Sequence, residues 1–339
     1  MESLKHRTQR EHRENRLKTA PYKPVNPLLI NILHNLSMPD EQAFDLYERY
    51  VTGAAQNISN TPMQLIDGGQ EGTADDLLIV NYHALGSLNT NAELDAHEQD
   101  IETYVEVSGR RFQDPESPSA KNWLTNELFN EAANPAGALS EAARGSSYHN
   151  TIYLNEQLDG LSILTNLALG IPAGDPCPLA YTPQQEALYA EFVRYHEAAH
   201  AVLNLDEAGA DFMAAAALLN RYPDSPDVTR FLEHMADLRV IGAARNPNMN
   251  SLSGIEAYDA FHQAIGLHNR GELPPVEDSE SLFLIAEQYD QQNLANSVSD
   301  QQRQNTVYGE ALDRINTYAP ENPTATPAAP VSEMQITSP

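Results

Sequence analysis

Five consecutive residues, His196-Glu197-Ala198-Ala199-His200, carry the two imidazoles and the carboxylate that metal-assisted hydrolysis requires. Residues i and i+4 of a helix lie about one turn apart on one face, so both rings can grip a single Zn²⁺. Glu197, between them, is placed to act as general base on the attacking water. A histidine on an amphipathic helix is more often a structural residue than a ligand, and a five-residue pattern also arises by chance. The flanking segments must therefore show that they can position the motif.

They do so with recognisable helix punctuation. Thr182-Pro183-Gln184-Gln185 supplies a capping hydroxyl, a proline at the first helical position and a glutamine three residues after the cap, which predicts a helix start at Thr182. Leu188, Phe192, Tyr195, Ala199 and Val202 then recur every three or four residues as an apolar stripe, with His196 and His200 at its edge. Asn204, which tolerates the left-handed conformation, predicts the helix end. The next segment, Asp206 to Leu219, reads as a second helix, capped by Asp206 and rich in Ala and Leu. If the chain reverses at Asn204-Leu205, Glu207 comes level with His200 and Asp211 level with His196. Glu207, with the longer reach, is then the expected third ligand, and Asp211 the acceptor that fixes the tautomer of His196.

Other donors stay open. Asp206 stands six residues after His200 and is a second candidate ligand. A third helix, capped by Ser225 with Pro226 at its first position, brings Glu233, His234 and Asp237 within reach of the first two. A histidine or arginine from that helix could stabilise the oxyanion of a tetrahedral intermediate, and His234 is the candidate for this role; as residues of an amphipathic helix, these polar groups could equally form a solvated face.

His196-Glu197-Ala198-Ala199-His200-Ala201-Val202-Leu203, followed by Glu207-Ala208-Gly209-Ala210-Asp211, resembles the active-site helix and ExxxD segment of the gluzincin branch of zincin metallopeptidases, over about residues 182 to 220. In that family the glutamate of ExxxD binds zinc and its aspartate supports a ligand histidine. The resemblance implies one Zn²⁺ per chain, held by His196, His200 and Glu207, with Glu197 catalytic. The gap after His200 is shorter than is usual in that family. Leu203 stands where metzincins, which place their third ligand at the Asp206 spacing, have a glycine.

The rest of the chain bounds these readings. It has 339 residues and a net charge of −28, from 20 basic and 48 acidic side chains, which argues against nucleic acid and anionic membrane as partners. Cys177 is the only cysteine, which excludes an internal disulfide and a thiolate zinc cage; it is expected in a loop. There is no apolar run of 18 residues and no secretory leader, so no membrane span and a cytoplasmic location are expected, with a peptide or protein as substrate and the oligomeric state open.

The expected fold class is α+β, mostly α, and zincin-like, with a small sheet before the HExxH helix and a helical C-terminal half. Residues 1–24 read as a basic tail, 25–318 as one metallopeptidase domain (a sheet-containing part 25–180, a helical part 181–318) and 319–339 as a disordered Pro-rich tail. Residues 103–107 and 151–154 have the alternation of strands, and 151–155 is the expected edge strand; Leu77-Leu78-Ile79-Val80 suits strand or helix. Residues 26–52 read as two helices broken near Pro39, and 254–267, 279–293 and 299–318 as further helices. Two other functions fit the same residues. One is a helical carboxylate-histidine metal protein, because Glu197-Ala198-Ala199-His200 also matches ExxH. The other is a non-catalytic effector or adaptor with a degenerate HExxH site.

Overall fold

A computed structural model describes residues 39, 41–53, 63–66, 77–81, 146–147, 151–154, 159–172, 174–245, 254–292 and 298–319. The chain divides into a unit of residues 1–40 and a unit of residues 41–339, and all of the described helices and strands belong to the second. The predicted tails before residue 25 and beyond residue 319, the helix before Pro39 and the strand at 103–107 lie outside the described residues.

Among its described residues the second unit has eight α-helices: α1 (Glu41–Gly53), α2 (Gly160–Ala168), α3 (Pro183–Leu203), α4 (Glu207–Arg221), α5 (Pro226–Arg245), α6 (Gly254–Asn269), α7 (Ser279–Gln292) and α8 (Val298–Tyr318). Helix α4 lies at the centre. Every residue from Ala208 to Leu219 is buried, the pattern of a helix that is apolar all round and covered on all sides. Its neighbours are α3, α6 and α7, with α5 touching it near the site described below. Small side chains, four of them in the run Ala214-Ala215-Ala216-Ala217, let these helices approach closely; Phe212, Met213, Leu218 and Leu219 fill the space between them.

The expected α+β, zincin-like class is overturned. Most of the described residues are helical and few are strand, so the class is mostly α, with no zincin-like sheet. Among the described residues the strand consists of four short pieces, β1 (Met63–Ile66), β2 (Leu77–Asn81), β3 (Ser146–Ser147) and β4 (Thr151–Leu154), paired in the order β1-β2-β4-β3. Residues 77–80 are thus strand. The expected edge at 151–155 is a second correction: β4 pairs in parallel with β2 on one side and antiparallel with β3 on the other. The HExxH helix α3 packs principally on α4, with α1 and α2 alongside and β3 and β4 also touching it.

Helix α3 starts and ends where its sequence predicts. Thr182 Oγ1 accepts from Gln185 N at 3.2 Å while Thr182 N donates to Gln185 Oε1 at 2.7 Å, a reciprocal capping box. At the other end Asn204 takes φ 53°, ψ 37° and lets Leu205 N reach back to Ala199 O. Ser225 caps α5, with Val228 N donating to its Oγ at 3.4 Å. Asp206 does stand at the start of α4, but its side chain makes no capping hydrogen bond.

Helix α2 was not foreseen. Its exposed N–H groups are satisfied from a distance: Glu186 on α3 accepts from Leu161 N at 2.8 Å, Ser162 N at 3.2 Å and Ser162 Oγ at 2.8 Å. Ala319, assigned from sequence to the tail, is buried, so packing continues one residue past α8.

Candidate metal centre

Helices α3 and α4 form an antiparallel pair joined by the three residues 204–206. The register is fixed at both ends: His196 meets Asp211 near the turn, and Glu191 meets Arg221 at 3.0 Å and the hydroxyl of Tyr222 at 3.0 Å further along. This reversal brings His196, His200 and Glu207 together, with one ligand atom from each lying within 4.8 Å of the others. Nε2 of His196 is 2.9 Å from Nε2 of His200 and 3.4 Å from Glu207 Oε2; His200 Nε2 is 3.8 Å from Glu207 Oε1. Donors on a tetrahedral ion with bonds of 2.0–2.1 Å are separated by about 3.3 Å, so this spacing suits a single small cation.

The outward-facing nitrogens determine which way the lone pairs point. His200 Nδ1 lies 2.6 Å from the carbonyl oxygen of Leu205, which can only accept, so the proton of neutral His200 sits on Nδ1 and the lone pair on Nε2. His196 Nδ1 lies 2.9 Å from Asp211 Oδ1. The contact is off the N–H axis, so Nδ1 has no aligned hydrogen bond. Even so, a bare nitrogen lone pair held this close to a carboxylate would be repelled, and the proton belongs on Nδ1. Both Nε2 lone pairs therefore face the same point, and a positive centre must stand between them.

Without a metal, that centre is a proton. Burial opposes charge on His196, but Asp211 and Glu207 outweigh it and push the ring up to about 10. Burial and the neighbouring His196 push His200 down to about 4. Burial would raise Glu207, but His196 and Arg239 bring it down to about 2. The His196 imidazolium thus donates through Nε2 to the neutral His200. The donor set of two imidazole nitrogens and one carboxylate, whose shared proton can be exchanged for a cation, fits a divalent metal, and the His196-His200-Glu207 group could hold one.

Exposure differs across the site: His196 and Asp211 are closed off, while the side chains of His200 and Glu207 are 18% and 29% exposed. Glu197 is buried on α3, one residue from His196. Asp206 is exposed at the turn and is not one of the three grouped donors.

His234 lies in a different environment. Its Nε2 is 2.7 Å from the Tyr181 hydroxyl, which is in turn 2.7 Å from Thr165 Oγ1, and its ring stacks on Tyr318 at 4.3 Å. Burial pushes it down to about 3. The structure thus places the candidate oxyanion stabiliser with an aromatic cluster, apart from the three grouped donors. Asp237, also considered from sequence, pairs with Arg314 at 2.7 Å.

The residue that sequence reasoning missed is Arg239. It stands on α5 five positions past His234, about 140° further round the helix. Its Nε and Nη2 grip both oxygens of Asp211 at 2.8 and 2.7 Å, and Nη2 is 3.5 Å from Glu207 Oε2. Asp211 is 0% exposed, and a buried carboxylate of that kind requires a cation. This was the available signal: an aspartate in the middle of an all-apolar helix calls for an arginine on a neighbouring one. Cys177 is buried, and burial raises its thiol, so it lacks the thiolate character of a nucleophile. No helix among the described residues is long and apolar enough to cross a membrane. Compared with protein-family models, curated proteins and solved structures, the chain matches none.

Proposed function

We propose that this protein is a zinc-dependent hydrolase of peptide or similar amide bonds, with one Zn²⁺ per chain held by His196, His200 and Glu207, and Glu197 as general base. The observation that carries the reading is the convergence of the two Nε2 atoms, 2.9 Å apart, while the far nitrogen of each ring lies beside an oxygen of the chain, Asp211 Oδ1 or the Leu205 carbonyl. Bound zinc would supply a Lewis acid that polarises a carbonyl and lowers the pKa of water toward about 7. The chain's own residues do the rest. Asp211 and the Leu205 carbonyl stand at the far nitrogens of the two rings, and His200 and Glu207 are the partly exposed members of the group. Glu197 takes a proton from the attacking water and delivers it to the leaving nitrogen. The resemblance to zincin peptidases concerns this chemistry, here carried on a helical scaffold.

Metal analysis of the purified protein is expected to give about one zinc per chain. Glu197→Gln should keep the metal and lower turnover of a peptide substrate by about 10²- to 10⁴-fold. His196→Ala should lose both metal and activity. Hydrolysis that persists in the glutamine variant would remove the base assignment, and wild-type protein that binds no divalent metal would remove the whole reading.

The mostly helical architecture favours one second reading, a helical carboxylate-histidine metal protein without hydrolytic activity. Such di-metal bundles use a second ExxH on another helix, which this sequence does not contain. Two irons per chain in the same metal analysis would favour it.

A further inference from the structure

Asp211 Oδ1 has two claimants. The Arg239 fork takes both oxygens of this carboxylate, Nη2 donating to Oδ1 at 2.7 Å and Nε to Oδ2 at 2.8 Å. Oδ1 also lies 2.9 Å from His196 Nδ1, yet that nitrogen has no aligned hydrogen bond. Two parallel bonds to a planar guanidinium fix both the place and the plane of a carboxylate, so its direction is set by Arg239 and not by the ring. His200 provides the contrast within the site: its Nδ1 meets the Leu205 carbonyl at 2.6 Å in a formed hydrogen bond. Asp211 is fully buried and the Arg239 side chain is 10% exposed, so little water competes for the pair.

We propose that Arg239 is a positioning residue that holds the Asp211 carboxylate off the N–H axis of His196, and so keeps that ring a weaker metal donor than an unshared aspartate would make it. The proposal rests on the metal-binding reading above. A carboxylate that accepts squarely from Nδ1–H raises the basicity of Nε2 and tightens its hold on a cation. A cation that receives more electron density polarises a carbonyl less. By keeping Asp211 to itself, Arg239 lowers metal affinity and preserves Lewis acidity without touching the reacting atoms.

The test measures the zinc affinity of the full chain, stripped of metal and titrated in competition with a chromophoric chelator. In Arg239→Met the carboxylate is free to turn onto the His196 N–H, and zinc should bind about 10-fold tighter. Arg239→Lys keeps a cation but has no fork, so binding should tighten by less. Removal of a group that only braced the fold would weaken binding, so the sign of the change separates the two roles. In an Asp211→Asn background, which leaves no carboxylate to release, Arg239→Met should lose most of its gain. Circular dichroism identifies the variants that fold. If neither single variant folds, proton NMR of zinc-loaded wild type decides: the ring N–H of His200, bonded to a carbonyl, should lie far downfield and that of His196 clearly less so. Unchanged or weaker zinc binding in a folded variant, an equal gain in the Asp211→Asn background, or a His196 signal as far downfield as that of His200 overturns the proposal while leaving the metal site standing. Failure of wild type to bind zinc overturns both.

Discussion

His196 and His234 are both buried, at 5% and 2% exposure, yet their environments drive them in opposite directions. His196 rises to about 10 and His234 falls to about 3. Burial opposes the charge on both rings, so the difference comes from the neighbours. His196 faces two carboxylates, from Asp211 and Glu207; His234 faces a phenol and an aromatic ring, with no charged partner among the described residues. Depth alone therefore does not mark a functional histidine. A buried imidazole beside carboxylates holds a proton that a metal can displace, whereas one packed among tyrosines stays neutral and serves as a structural hydrogen-bonding group.

The sharpest way to break this contrast is to remove the charge that creates it. Asp211→Ala leaves Arg239 buried without its main partner, and urea unfolding of the metal-free protein should show a loss of about 3–5 kcal/mol. His234→Phe, which removes no charge, should cost clearly less. A loss no larger than that of His234→Phe would show that the Asp211–Arg239 pair does not hold this region.

pH separates the two rings next. His234 has a folded pKa depressed to about 3 from its ordinary 6.5, so the unfolded chain takes up the proton first as pH falls. Its contribution is complete above about 6.5 and is lost by about 1.4 kcal/mol per pH unit as pH drops toward 3. His196 runs the other way, its folded pKa being raised to about 10 from 6.5. It stabilises the metal-free protein fully below about 6.5 and loses that contribution at a similar slope as pH climbs through 10. Denaturant melts across pH should show an acid limb that His234→Phe flattens. The alkaline limb should vanish on zinc loading, because the metal takes the place of the His196 proton.

That displacement can be counted. Zinc binding at neutral pH should release about one proton from His196, read by calorimetry in buffers of different ionisation enthalpy. His200, already neutral, should release none. The smallest effect belongs to the other cluster: Tyr181→Phe removes the hydroxyl between Thr165 and His234 and should cost about 1 kcal/mol in the same melts, with metal affinity unchanged.

Several elements were legible because their signals are local. The capping box at Thr182, the left-handed Asn204 and the Ser225-Pro226 start need only neighbouring residues, and each appears where the sequence places it. The strands and α2 were harder for a physical reason. Short strands draw their stability from partners far away in sequence, and the free N–H groups of α2 are satisfied by Glu186, 24 and 25 residues distant. The β4 segment looked like an edge because alternation shows which faces a strand has, not how many neighbours it gains.

What the amino-acid order determined by itself was the site's inner geometry. Helical periodicity puts His196 and His200 on one face, and a three-residue turn after a left-handed asparagine can only fold the following helix back, carrying Glu207 and Asp211 with it. Tertiary packing alone decided the rest. It left the scaffold mostly helical without a zincin-like sheet, it sent His234 into an aromatic cluster, and it chose Arg239 from the same helix to serve the site. The rotation of α5 against α4 made that choice, and such a rotation depends on how side chains from separate helices interlock, which local spacing does not encode.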